Sequence, residues 1–212
     1  MEPPYSNGIS AHAATNLHVE SFVGPSVARY LPAIAVLRIE VFHEWPYLYE
    51  GTVEYEAKYL SNYTGPDAMV AIAFDGDEIV GASTAVSVNA HPDAVAGPLA
   101  GAGYDLAQVF YFGESVLRAD RRGLGLGHRF FDEREAHARR LGYRHASFCA
   151  VERAADDPRR PADYVPLDRF WTKRGFVRRP DIVGTFSWLD VGDEVETEKR
   201  MVFWVKDLEG RT

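Results

Sequence analysis

The residues best placed to do chemistry lie in one run, Arg121-Arg122-Gly123-Leu124-Gly125-Leu126-Gly127-His128-Arg129. Three glycines allow backbone N–H groups to approach a ligand closely, and basic residues flank them. The apolar run before it, Val109-Phe110-Tyr111-Phe112-Gly113-Glu114-Ser115-Val116-Leu117, reads as a strand. The run after it, 129–141, has helical spacing and stops at Gly142. A glycine turn opening a helix presents unpaired N–H groups and the positive end of the helix dipole, so it suits a phosphate. Arginine in the turn can pair with phosphate oxygens. Glu114 is the one carboxylate inside the apolar strand. Its burial there is costly without a partner or a task.

Other elements must position this turn. Leu17 to Val23 alternates as a strand, and Ser26 is placed to cap a helix running through Val27, Leu31, Ile34 and Arg38. Pro46 breaks that helix, and a second covers 53–63. Strands over 68–74 and 78–88 flank the Asp75-Gly76-Asp77 turn. The Ala-, Gly- and Pro-rich stretch 89–108 reads as a flexible loop with one helical turn near Pro98. A strand over 145–152 follows the central helix. Then come a charged loop, a short helix over 163–176 and a hairpin of strands near 182–190 and 199–206. The order predicts one mixed α/β (α+β) domain over 16–212, with a mostly antiparallel sheet of six to seven strands flanked by helices. Residues 1–15 read as a flexible N-terminal tail.

The chain's net charge of −8 argues against general nucleic-acid binding but leaves room for a local phosphate site. One cysteine, Cys149, permits no internal disulfide and no cysteine-rich metal site. It stands in an apolar run and is expected to be a buried, inert thiol. No apolar run reaches membrane-spanning length, and the first residues lack the basic start and apolar core of a secretory signal. A cytoplasmic protein with neither nucleic-acid nor membrane partners and no metal is the expectation.

A P-loop requires Gly-Lys-Ser or Gly-Lys-Thr, whereas Gly127 is followed by His128 and Arg129. A dinucleotide fingerprint requires glycine at the sixth position, where His128 or Phe130 stands. Arg122, then Gly125, then Gly127 instead resembles the acyl-CoA pyrophosphate loop of the GNAT superfamily of N-acetyltransferases. Phe170-Trp171-Thr172-Lys173-Arg174-Gly175-Phe176 is similar to that family's closing segment. The element order agrees from about Asn16 onward.

The resemblance implies acetyl-CoA as co-substrate and a GNAT-like acyltransferase fold. Its pyrophosphate would lie on the backbone of Arg122, Gly123, Leu124, Gly125, Leu126, Gly127 and His128. The pantetheine arm would pair with the strand near Val116 and Leu117, with Phe170 packed beside it and the oxyanion held by N–H near Leu117. An amine acceptor must lose its proton before attack, and Glu114 is the expected general base. The alternative is an ordinary paired glutamate beside Gly113. The family's usual base positions fall on Gly113 and Tyr111, so Glu114 has the wrong parity unless Gly113 marks a bulge. Glu152 and His43 are weaker candidates. The family's usual tyrosine acid falls on Trp171, a donor but a negligible acid, leaving Tyr164 or water. The acidic and aromatic stretch Glu40 to Glu56 suits a small cationic or aromatic amine. The other reading is a non-catalytic acyl-CoA-binding or sensing module. Dimers are common in the family.

Overall fold

A computed structural model describes residues 16–91 and 93–209; the expected tail over 1–15 lies outside them. Seven strands form one sheet: β1 (Leu17–Val23), β2 (Met69–Asp75), β3 (Glu78–Ser87), β4 (Val109–Leu117), β5 (His145–Val151), β6 (Val177–Leu189) and β7 (Glu196–Asp207). Their order is β1-β2-β3-β4-β5-β7-β6. All neighbours are antiparallel except β4 and β5. The expected fold class is the observed one.

Helices cover both faces. α1 (Leu31–Phe42) and α2 (Val53–Leu60) pack Ile34, Leu37 and Leu60 against Val70, Ile72 and Val116. α4 (Leu126–Arg140) and α5 (Asp168–Lys173) lie on the other face, over Phe110, Phe112, Phe148 and Trp204. α3 (Asp93–Gly101) contributes Val95 and Leu99 to a third cluster with Tyr111, Cys149 and Phe203.

Several elements differ from expectation for identifiable reasons. The first helix starts at Leu31, after a 3-10 segment over Gly24–Tyr30. Pro32 has no N–H for the Ala28 carbonyl, so an α-helix cannot run through it. Ser26 Oγ donates to the Val23 carbonyl at 2.8 Å instead of capping. The second helix gives way to a 3-10 turn over Ser61–Thr64. The stretch read as a flexible loop holds α3, because Val95 and Leu99, four residues apart, are both buried. Tertiary burial outweighs the low propensity of its Gly and Pro residues. α5 is shorter than expected, since Pro166 disfavours helix at the residue before it. β6 begins at Val177, earlier than expected, and its register with β7 breaks between Arg179 and Val183. Pro180 lies inside that break and cannot donate to the ladder.

The irregularity that matters for function lies in β4. Ser83 faces Ser115 and Ala85 faces Phe112, so Thr84 alone opposes Gly113 and Glu114. This is a β-bulge, and it inverts the side-chain alternation beyond it. Phe110 and Phe112 face α4, whereas Val116, also even-numbered, faces α1. The bulge requires glycine: a Cβ on Gly113 would overlap the Tyr63 hydroxyl and Thr84 Oγ1. β4 and β5 pair only from Val109–Tyr111 to His145–Ser147 and then splay apart.

Gly113→Ala is expected to destabilise the fold by ~1–3 kcal/mol, the usual cost of overpacking. At about 2–4 °C per kcal/mol for a chain of this size, a thermal melt resolves it. An unchanged midpoint would show that the bulge tolerates a side chain.

Candidate functional site

The glycine turn is an open cradle. A 3-10 turn over Ala119–Arg121 leads into it, and Gly123 and Gly125 take φ of +77° and +84°. An L side chain is strained there, so glycine at these positions fixes the path of the loop. The helix begins at Leu126, three residues earlier than expected, with Gly125 at its N-cap. Among the described residues, the N–H groups of Gly123, Leu124, Gly125, Leu126 and Gly127 find no acceptor. Five consecutive unpaired donors at a helix N-terminus suit an anion. The N–H groups of Arg122 and His128, expected to join them, donate to the Ala119 and Gly125 carbonyls.

The flanking arginines differ. Arg121 is held by Asp75 and Asp120 at 3.0 and 2.7 Å. Arg122 reaches across the cleft, donating to the Leu117 carbonyl at 3.1 Å and pairing with Glu44 at 2.8 Å. Both partners of that pair are about half exposed (45% and 46%), so it is readily broken. Phe170 packs edge-on against His128 and Phe131, at the side of the cradle. Leu117 lines the cleft, while the Val116 side chain is buried on the α1 face and leaves only its backbone.

From the cradle, a cleft of about 1240 Å³ follows the gap between β4 and β5. Phe112, Phe131, Phe148, Phe170 and Trp171 line its α4–α5 half. Phe42, Glu44, Trp45, Tyr47 and Tyr164 line its other half. Because the strands splay, the cleft connects the two faces of the sheet.

Glu114 lines this passage and is buried. The bulge turns its side chain toward α1 and α2, where Arg38 Nη1 meets Oε2 at 2.6 Å and Tyr59 donates to Oε2 at 3.1 Å. Thr84 Oγ1 accepts the Glu114 N–H at 3.3 Å. Arg38 also pairs with buried Glu56 and stacks on Phe42 and Tyr59. One buried cation therefore serves two buried carboxylates. Burial raises the Glu114 pKa, and Arg38 only partly offsets it. Its Oε1 has no hydrogen-bond partner among the described residues. A carboxylate with raised pKa and one free oxygen in a cleft has the attributes of a general base.

The other candidates separate. Glu152 lines the cleft but is paired with Arg178 and Arg200, and His43 approaches Glu50 at 3.8 Å. Tyr164 lines the cleft beside Trp45, with Arg160 over its ring, and partial burial raises its pKa. Trp171 packs against Phe148 and Trp204. Cys149 is buried beside the Tyr111 hydroxyl, as expected, and burial pushes its thiol up to about 12. Of the acidic stretch, Glu44 lines the cleft, while Glu40, Glu50 and Glu54 are exposed elsewhere and Glu56 serves Arg38. Among the described residues, no group of three or more His, Cys, Asp or Glu is arranged to hold a metal. No described helix is long and apolar enough to cross a membrane.

The roles of Arg153, Arg38 and Arg134 escaped sequence reading. Arg153 donates to the Pro46 and Tyr47 carbonyls at 2.8 and 2.7 Å and grips Asp190 at 2.6 and 2.9 Å. It thereby fastens the aromatic wall of the cleft to the β6–β7 hairpin. Arg159 and Lys199 also hold Asp190, and despite burial Arg153 and Lys199 keep its carboxyl below the usual range. Arg38 and Arg134 are both buried cations on apolar helix faces. The signal for each was a charge at core spacing, as in Phe130-Arg134-Ala138.

Because its folded-state pKa is raised, Glu114 stays protonated in the fold at pH values where the unfolded chain has already ionised. Stability therefore falls as pH rises from the unfolded value, about 4.3. Above the folded value the penalty is full. Glu114→Gln lacks it, so urea titrations across this range are expected to shift progressively in the variant's favour with rising pH. A pH-independent difference would contradict the raised pKa.

No family model matches the sequence, and no curated protein matches it. Solved structures do match. An N-acetyltransferase from Staphylococcus aureus Mu50 is 14% identical with a TM-score of 0.58, covering 92% of this chain and 100% of that one. A ribosomal-protein-alanine N-acetyltransferase from Brucella melitensis is 13% identical at 0.58, covering 90% and 99%. The yncA protein of Salmonella typhimurium, solved with its cofactor acetyl-CoA, is 10% identical at 0.58, covering 93% and 97%. At such identities the likeness is one of architecture: the chain has the GNAT acyl-CoA N-acyltransferase fold.

Proposed function

We propose that this protein is an N-acetyltransferase that moves an acetyl group from acetyl-CoA to a primary amine by direct attack on the thioester. The observation that carries the reading is the continuity of the site. Five unpaired N–H groups open directly onto a splayed strand pair, and a buried carboxylate stands on the far side of the gap.

In this reading the pyrophosphate of CoA lies on Gly123 to Gly127. Arg122 and His128 add side-chain contacts, and Arg122 exchanges Glu44 for phosphate. The pantetheine arm runs along β4 past Leu117 and Val116, with Phe170 against it, filling the place of a missing strand. The acceptor enters from the α1–α2 face. Glu114 takes the ammonium proton, directly or through water, and frees the nitrogen lone pair. A backbone N–H of β4 near Leu117 steadies the oxyanion.

The acceptor is a small cationic or aromatic amine. Phe42, Trp45, Tyr47 and Tyr164 offer ring faces, and Glu44 offers a carboxylate released once phosphate engages Arg122. Of the cations nearby, Arg153 shares Asp190 with Arg159 and Lys199, and Arg178 shares Glu152 with Arg200.

Free-thiol release from acetyl-CoA, measured with polyamines, amino acids and aromatic amines, tests the reading. Cationic or aromatic amines are expected to react, with an acidic limb in kcat/KM above the ordinary glutamate pKa. Glu114→Gln is expected to lower kcat/KM by ~10²–10⁴-fold with acetyl-CoA affinity unchanged. Reaction with anionic or neutral acceptors alone would refute the acceptor class. Tight acetyl-CoA binding with no thiol release from any acceptor would favour a non-catalytic sensing module.

A further inference from the structure

The scheme above leaves the leaving group without a protein partner. Trp171, at the position of the family's usual acid, belongs to an aromatic stack with Phe148 and Trp204. Two of the polar groups that line the α4–α5 half of the cleft lie on or beside β4. Ser115 is exposed to it, and Arg134 lies just beneath, 2% exposed.

Arg134 is an unusual cation. Its Nε donates to the Phe130 carbonyl at 3.1 Å, and Nη1 reaches the Thr84 and Glu114 carbonyls at 3.4 and 3.3 Å. Nη2 donates to Ser115 Oγ at 2.8 Å. The guanidinium lies over the Phe112 and Phe131 rings. No carboxylate pairs with it among the described residues. The two nearby candidates are committed elsewhere: Glu114 to Arg38, and Glu135 to Arg139, Arg174 and Lys206. Arg134 is therefore a buried positive charge beside a cleft, balanced by backbone carbonyls and one hydroxyl. Such a charge is costly unless an anion completes it.

We propose that Ser115 and Arg134 together receive the sulfur of the departing CoA, Ser115 donating its hydroxyl hydrogen to the thiolate and Arg134 supplying the opposite charge. This rests on the acetyl-transfer reading above. Beyond the bulge, successive side chains of β4 point to opposite faces, so Glu114 faces α1–α2 and Ser115 faces α4. A thioester lying in the gap would have the base on one side and Ser115 on the other. The amine's lone pair forms the new C–N bond. The C–S bond breaks with its electron pair passing to sulfur. Nitrogen loses two protons in all: the ammonium proton, which Glu114 passes on to water in the cleft before attack, and the one shed as the amide forms, which Glu114 then holds. The sulfur leaves as a thiolate toward Ser115 and Arg134. The Ser115 oxygen accepts from the guanidinium, which polarises its O–H, and that hydrogen has no acceptor among the described residues.

The thiolate absorbance of bound CoA, followed in the ultraviolet against a desulfo-CoA blank, tests this directly. Wild-type protein is expected to hold at least tenfold more of the CoA as thiolate than free solution does at the same pH. Ser115→Ala is expected to lose part of that excess and Arg134→Met nearly all of it, while Arg134→Lys retains most. In turnover, kcat should fall in the same order with KM for acetyl-CoA nearly constant. The proposal is overturned if bound CoA titrates like free CoA, or if Ser115→Ala and Arg134→Met titrate like wild type. Should Arg134→Met fail to fold by circular dichroism, the wild-type and Ser115→Ala titrations decide. Normal binding of desulfo-CoA with an ordinary thiol rejects this proposal alone. Failure of both CoA and desulfo-CoA to bind rejects the acetyl-transfer reading beneath it.

Discussion

The site depends on one extra residue in β4. Thr84 faces both Gly113 and Glu114, and the bulge that results does three things. It interrupts the alternation, so a carboxylate that would have pointed into the α4 core points to Arg38 instead. It brings Thr84 opposite Glu114, and Arg134 donates to the backbone carbonyls of both. It also lies just beyond the last β4–β5 pair, where the strands separate. A bulged strand bends, and a bend here opens the passage between the sheet's two faces. Gly113 is the condition for all of it, because Tyr63 and Thr84 occupy the space a Cβ would need.

The charges around the bulge follow from that geometry. Arg38 lies on one face with two carboxylates, and Arg134 lies on the other with none. Each is buried, and burial favours neutral forms. Burial pulls Arg134 down to about 9, still cationic at neutral pH, while it raises Glu114. Taken together, the four groups balance without a bound proton, but the positive and negative members are divided by the sheet. The face with excess negative charge is the one an ammonium would approach, and the face with excess positive charge is the one an anion would leave toward. Surface ion pairs could not impose such a division, because solvent and salt screen them.

Much of the frame was legible in sequence. The β4 boundaries, the glycine turn and the helix after it follow from local pattern, and so does the element order. What failed was decided by backbone chemistry or by burial. Pro32 moved the start of α1 and Pro180 broke β6, effects visible in principle at single residues. α3 could not be read, since only the packing of Val95 and Leu99 into a distant cluster makes helix the better state for that stretch. The candidate base was legible, but its parity depended on a bulge that sequence could pose only as a condition. The arginines that tune the site were less legible still. Arg38 and Glu114 are far apart in the chain, and only the topology brings them together.

One helix links the glycine turn to the far half of the cleft. α4 begins at Leu126 with its free N–H groups and carries Arg134 eight residues later. At 1.5 Å per residue that is about 12 Å along the axis. The two ends of this segment act by different physics. The N-terminus offers oriented dipoles, partly solvated, which suit a pyrophosphate that remains charged throughout. Arg134 offers a full charge, shielded from water, which suits a sulfur that becomes charged only as the bond breaks. Desolvated electrostatics of the second kind are worth more than those of the first. They carry a cost before reaction, because a buried guanidinium must be held without a partner carboxylate. The Phe112 and Phe131 rings and the bulge carbonyls meet that cost. The same backbone distortion that turns Glu114 toward Arg38 and Tyr59 thus also brings together the acceptors that let an opposing cation stay buried on the other side.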